Sequence, residues 1–264
     1  MIISDDHGFI FVHIPKCAGT SIKRRLKHID TTGGRFFPIG DHPELGAIHL
    51  AHITLADLQA YFPESFAKLY DYRSFALVRD PMDRFFSAIF QRLREFGGQG
   101  QSAITPEMVE DEGRKIIRYL ESAPERLDLE HVHFNRQSDF IELRGRRMVQ
   151  EVFAVEQLAE AGRYVEAVTG IKIGEERRNR TTEMSFGALK PLQRMLRTPY
   201  SKLFSAEFRA DVREKMTRAG FYKDIPKQQF VHPGSAVAQF VRDYYRRDFV
   251  LHEECLAAPA LACA

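Results

Sequence analysis

The chain of 264 residues is short of three things: cysteine, long apolar runs and excess charge of one sign. It holds 3 Cys, and 38 Lys and Arg stand against 36 Asp and Glu, a formal net charge of +2. Each shortage excludes something. An odd, sparse set of cysteines at 17, 255 and 263 builds neither a disulfide framework nor a cysteine-based zinc site. No stretch approaches the ~18 apolar residues of a membrane helix, so no span is expected. The near-neutral balance gives bulk charge no reason to recruit nucleic acid. The basic run Arg177-Arg-Asn-Arg180 has no interleaved aromatics on which bases would stack. The start, Met1-Ile-Ile-Ser-Asp-Asp6, lacks the basic-then-apolar plan of a signal peptide. No internal repeat is visible. With 44% hydrophobic residues, the chain suits one globular domain.

What the sequence does have begins at Phe9. Phe9 to Ile14 is a short apolar run of β-formers and reads as a buried strand, closed by Pro15. Lys16-Cys-Ala-Gly-Thr-Ser21 is a small polar loop, and Ile22, Leu26 and Ile29 follow at helical spacing. A strand, a Gly-containing loop and a helix N-terminus make an anion site, because free backbone N–H groups and the positive helix end face the bound group. Thr20 and Ser21 add hydroxyls and Lys16 a full charge. Cys17 reads as a small residue filling space under the loop.

A second junction follows. Tyr72 to Val78 reads as a strand running into Arg79-Asp-Pro81, with Asp80 as N-cap and Pro81 at the first helical position. Met82, Phe85, Phe86, Ile89 and Leu93 mark its apolar face, and Ser87 falls on another face near Arg84 and Gln91. Two such junctions in an α/β sheet share one carboxyl edge, where ligands bind. The remaining pattern predicts an irregular connection over 35–47 and a strand over 48–54. Thr54 and Asp57 then cap a short helix that Pro63 closes. A Gly-rich loop at 97–101 precedes a helix over 106–121 with a solvated charged face, and a core strand covers 149–155. Helices are expected from Glu156 to near Gly170, over 203–219 and over 235–251. Residues 256–264 read as a frayed tail.

The loop His13-Ile-Pro-Lys-Cys-Ala-Gly-Thr-Ser21 resembles the 5′-phosphosulfate loop "H-I-P-K-x-A-G-T-S" of the carbohydrate sulfotransferases of the heparan, chondroitin and HNK type (sulfotransferase family 2). Their donor is 3′-phosphoadenosine 5′-phosphosulfate (PAPS). Ala76-Leu-Val-Arg-Asp-Pro-Met-Asp-Arg-Phe-Phe-Ser-Ala88 resembles their 3′-phosphate motif, an apolar strand followed by "R-D-P-x-x-R-x-x-S-A". The resemblance is dense over 9–90 and patchier over 131–182. There His133, Phe134 and Gln137 match an "H-[WF]-x-P-Q" stretch, with Arg136 in place of Pro. Near the end, Tyr245-x-x-Asp248-Phe249 resembles the closing "Y-x-x-D-[FY]" helix, expected to pack.

The resemblance implies one α/β domain over 1–255, P-loop-like, with a central parallel sheet flanked by helices and a helical C-terminal part. It implies transfer of the sulfuryl group of PAPS to an acceptor hydroxyl, most often on a sugar, without a metal. It places Lys16, Cys17, Ala18, Gly19, Thr20 and Ser21 around the 5′-phosphosulfate and Arg79 and Ser87 on the 3′-phosphate. Asn179, Arg180 and Thr181 match a late "N-x-[ST]" near the nucleotide. His133 and Gln137 would line the sulfate pocket or tie a loop to the core, and the insert after residue 97 would border the acceptor cleft. Many relatives carry a Golgi anchor. None is visible here, so a soluble cytoplasmic enzyme or an excised catalytic domain is expected.

Transfer to a hydroxyl needs a base, and imidazole suits neutral pH. His52, in an Ala51-His-Ile53 setting resembling the family's "G-H-[IV]", is the first choice, with His49 and His133 open; His13 reads as structural. The His131-x-His133 spacing lacks acidic or Cys partners, so no metal is expected there. Two rivals remain: a P-loop kinase, opposed by the position of Lys16 three residues before Gly19 instead of after a glycine, and a nucleotide-binding protein without transfer.

Overall fold

The structure is a computed structural model that describes residues 1–96, 104–173, 182–184, 222–224 and 232–258. Two compact units divide the chain: 1–175 with 228–264, and 176–227. Within the smaller unit, strands Thr182–Met184 and Tyr222–Asp224 pair antiparallel.

The larger unit is a mixed α/β fold around a four-stranded sheet. Its strands are β1 (Ile2–Ser4), β2 (Phe9–Val12), β5 (Arg73–Val78) and β8 (Glu151–Ala154), in that spatial order. β2, β5 and β8 are parallel, with Phe11 beside Phe75 and Leu77 beside Phe153. All four residues of β2 and the last five of β5 are buried, which is why both read as continuous apolar runs. β1 adds an antiparallel edge that the sequence reading missed; three residues carry too little pattern to register.

The helices follow the strands. α1 (Gly19–Leu26) leaves β2, and α4 (Pro81–Phe96) leaves β5. As expected, the Asp80 carboxylate caps α4, accepting from Asp83 N at 2.8 Å. α5 (Pro106–Glu121) and α6 (Leu158–Thr169) match the periodicity, and Gly170 closes α6 at φ 72°. A second apolar cluster joins α4, α5 and α7 (Ala236–Tyr244) around Phe85, Ile89, Val109, Ile116 and Val241. Gly113 lets α5 approach α7, since a Cβ there would lie 2.9 Å from Val237.

Several local expectations are corrected. Pro63 does close α2 (Leu55–Tyr61), and it also opens α3 (Pro63–Asp71), which was not anticipated, because proline at the first turn costs no hydrogen bond. Residues 35–47 contain β3 (Ile39–His42), which forms a hairpin with β4 (Gly46–His49) outside the central sheet. The stretch expected as a strand to residue 54 becomes a 3-10 turn at Leu50–His52. Glu112, on the face of α5 expected to be solvated, is buried against Arg92 at 2.6 Å. The helix over 235–251 is two, α7 and α8 (Arg246–Ala257), broken at Tyr245. α8 also takes in Leu256 and Ala257, the start of the expected tail. A short hairpin, β6 (Glu142–Leu143) with β7 (Arg146–Arg147), precedes β8. The 97–101 loop, the helix over 203–219 and Asn179, Arg180 and Thr181 lie outside the described residues.

Candidate active site

Because β2 and β5 are parallel neighbours, the segments leaving their carboxyl ends lie side by side. After β2 the chain turns sharply: Lys16 and Ala18 both have positive φ, 68° and 60°. Alternating left-handed residues turn successive N–H groups toward one concavity, an anion nest. α1 starts immediately behind it with no acidic residue in its first turn. Gly19 is required by crowding. A Cβ there would fall 2.2 Å from the His13 ring, so the ring packs directly on the loop backbone.

Lys16 is half-buried and its ammonium donates to Gln91 Oε1 on α4 at 2.7 Å. Burial, then the positive charges of Arg94 and Arg79, pull its pKa down to about 8. A bound anion would reverse that pressure. Cys17 is buried, and burial pushes its thiol up to about 12, so it is no nucleophile at neutral pH. Thr20 is exposed and Ser21 half-buried at the start of α1.

Arg79 leaves β5 partly exposed, with Nη2 donating to Asp83 Oδ2 at 3.0 Å. Ser87 is buried two turns along α4. Gln137 binds the two junctions together. Its Oε1 accepts from Arg79 N at 2.9 Å and from the Cys17 thiol at 3.1 Å, and its Nε2 donates to Arg79 O at 2.8 Å. Fully buried, its carboxamide has no exposed atom to offer a ligand. Of the two roles left open in the sequence, this geometry gives Gln137 the tie.

The histidines converge beside the nest. The His52 ring lies 4.6 Å from His13, 4.4 Å from His49 and 5.4 Å from His133, between ring centres. His52 Nδ1 donates to the His13 carbonyl at 3.1 Å, which fixes the tautomer and leaves the Nε2 lone pair available. Burial, then the neighbouring imidazoles, hold His52 well below the usual histidine range, and burial with Lys16 lowers His133 to about 3. Burial, then Lys23, lowers His49 as well, so His49, His52 and His133 favour the neutral form at physiological pH. His131 stands apart, stacked on Tyr119 at 3.6 Å with Nδ1 donating to Asp128 at 2.7 Å.

Residues 133–138 are clamped from behind by Arg84, to which the sequence reading gave no role, and by Tyr245 and Asp248 of the closing helix, which was expected only to pack. Arg84 donates to the carbonyls of His133 at 3.1 Å and Asn135 at 2.5 Å, and Tyr245 Oη donates to Phe134 O at 2.7 Å. Asp248 accepts from the N–H groups of Gln137 and Ser138 at 2.7 and 2.9 Å and lies 4.0 Å from Arg84. Both Arg84 and Asp248 stand within the quoted motifs, and that was the available signal. His13, read from the sequence as structural, has a carbonyl that orients His52.

The clamp has a measurable cost. Asp139 beside it is pushed up from 3.8 to about 6, by burial first and by Asp248, against the pull of Arg136. Its ionised form is the costly one. The penalty is therefore small below the unfolded value and complete once pH has risen past the folded one. Asp139→Asn is expected to stabilise the protein by about 1–3 kcal/mol at pH 8 and by much less at pH 4, in urea unfolding. An equal gain at both pH values would contradict this.

A cleft opens onto His49 and His52, lined also by Asp57, Arg126, Asp128 and Asn135. Asp57 and Arg126 pair at 3.0 Å. No described helix is long and apolar enough to cross a membrane. A family model described as "Sulfotransferase family" matches residues 1–253. No curated protein and no solved structure matches the chain.

Proposed function

Since the chain belongs to the sulfotransferase family, a transferase family acting on acceptor hydroxyls, we propose that its donor is PAPS and its acceptor a hydroxyl of a carbohydrate. The observation that carries the donor assignment is the pair of strand-to-helix junctions on adjacent parallel strands, joined through Gln137. The backbone nest at 16–18, the α1 N-terminus, Thr20 and Ser21 fit a 5′-phosphosulfate. Arg79 and Ser87 fit a 3′-phosphate, because guanidinium and hydroxyl donors both suit phosphate oxygens. The donor, when bound, supplies an activated sulfuryl group with a bisphosphate leaving group.

The chain's own groups have separable tasks. Lys16 places positive charge where the leaving oxygen becomes negative. His52 accepts the acceptor's proton at Nε2, and its Nδ1–H then steadies the imidazolium against the His13 carbonyl. Arg84, Tyr245 and Asp248 hold the segment that presents His133. The cleft with Asp57, Arg126 and Asn135 offers donors and acceptors suited to a polyhydroxylated acceptor. Its Arg126–Asp128 wall directly follows α5, consistent with the insert bordering the acceptor. We further propose that residues 1–255 act as one functional domain.

Two measurements test this reading. Labelled sulfate from PAPS should appear on members of a pooled glycan panel. In calorimetry, adenosine 3′,5′-bisphosphate should bind at least tenfold more tightly than AMP. Equal affinities would remove the dedicated 3′-phosphate site and the role of Arg79 with it.

A further inference from the structure

Among the described residues, the histidine cluster beside the nest is a concentrated group of metal-ligating side chains. One ring nitrogen from each of His49, His52 and His133 lies within 4.8 Å of the others. The three come from the end of β4, the following 3-10 turn and the 132–134 turn, so only the tertiary fold assembles them. We propose that His49, His52 and His133 form a binding site for a divalent transition-metal ion of the zinc class, and that the bound ion silences transfer by occupying the base.

The geometry supports binding in four ways. A tetrahedral site with Zn–N bonds of ~2.0–2.1 Å sets its nitrogens roughly 3.4 Å apart, so closure takes ring movements on the order of 1 Å. His49 can make such a movement cheaply, because its Nδ1 is buried without a hydrogen-bond partner. His52 carries the outer partner typical of a metal-bound imidazole: Nδ1 donates to a backbone carbonyl, leaving Nε2 as the ligand atom. His133 sits on backbone fixed by Arg84 and Tyr245, so its position is established before any ion arrives.

The donor set selects the metal. Three imidazoles and no carboxylate favour zinc, copper or nickel over magnesium or calcium, which want oxygen. Three protein ligands leave a fourth position for water. The cleft lined in part by His49 and His52 gives the ion a route in, past the carboxylates of Asp57 and Asp128. Coordination engages the same Nε2 lone pair that would accept the acceptor proton, so metal binding and base function exclude each other. The inhibitory half of this inference rests on His52 being the base; the binding half does not.

The test uses the whole chain and two metals as probes. Titration with Co2+ should give one equivalent of bound metal and the visible absorption of a tetrahedral site, lost when Zn2+ is added. His49→Ala and His133→Ala should each weaken binding at least tenfold, with His49→Gln as the milder variant should the alanine lower the melting temperature. His131→Ala should leave binding unchanged. No bound equivalent in the wild type, or dependence on His131 and not on His49, overturns the site. Zn2+ should inhibit sulfate transfer reversibly, relieved by EDTA, while adenosine 3′,5′-bisphosphate still binds. Stimulation by Zn2+ would overturn the inhibitory role. Absence of transfer to every acceptor would defeat the functional reading, and the Co2+ titration would still decide the site.

Discussion

His52→Ala is expected to lower sulfate transfer by roughly 10²–10⁴-fold while leaving the affinity for adenosine 3′,5′-bisphosphate within about twofold of wild type, the range typical of a lost acid–base group. The expectation rests on placement. His52 is buried beside the nest, its Nδ1 is held by the His13 carbonyl, and its ring faces His49 and His133. His52→Asn retains a donor for the His13 carbonyl and removes only the basic nitrogen, so it should be nearly as inactive. That comparison separates chemistry from packing. If Asn were active and Ala not, His52 would be a structural prop. Substantial transfer by both would move the base to His133 or His49.

Lys16→Ala should lower kcat by roughly 10²–10³, the usual cost of one electrostatic contact made chiefly in the transition state, with little change in the Michaelis constant for PAPS. The side chain is half-buried, in a setting where burial already disfavours its charge. Its stabilisation should therefore be greatest when negative charge develops beside it. Lys16→Arg should recover little, because the ammonium comes from a left-handed residue and reaches Gln91 as a compact point charge, whereas guanidinium is a wide planar fork. A raised Michaelis constant with unchanged kcat would make Lys16 a binding residue only.

The two variants address the two halves of the site, and they were not equally legible. The loop from His13 to Ser21 is contiguous. Its strand, proline, glycine and helix start each act over a few residues, so local chemistry alone defines an anion nest. The Asp80 cap and Pro81 announced the second junction in the same way. Here local preference and final structure agree: β2, β5, α1, α4, α5 and α6 all stand where periodicity put them.

Gln137 shows where that reach ends. Its sequence neighbourhood allowed a ligand contact or a structural tie. The choice fell to Cys17 and Arg79, 120 and 58 residues away, whose polar groups needed a partner once buried. Arg84 is similar. Helical spacing placed it off the apolar face of α4, yet it is 1% exposed because the 133–135 carbonyls, Tyr245 and Asp248 close over it. A pattern of apolar residues cannot show which polar residue will find a buried partner.

The sequence by itself determined the parallel α/β core and the two strand-to-helix junctions, because these depend on burial of continuous apolar runs and on backbone conformations fixed within a turn. Only the tertiary structure decided the meeting of His13, His49, His52 and His133 and the clamp of Arg84, Tyr245 and Asp248. Those contacts join the segment after β2, the end of β4 and the turn that follows it, α4, the 133–138 segment, the α7–α8 break and α8. Nothing in the spacing along the chain encodes such a distance. It is set when the hydrophobic core closes and each buried nitrogen, carbonyl and carboxylate must be satisfied by whatever the fold has brought beside it.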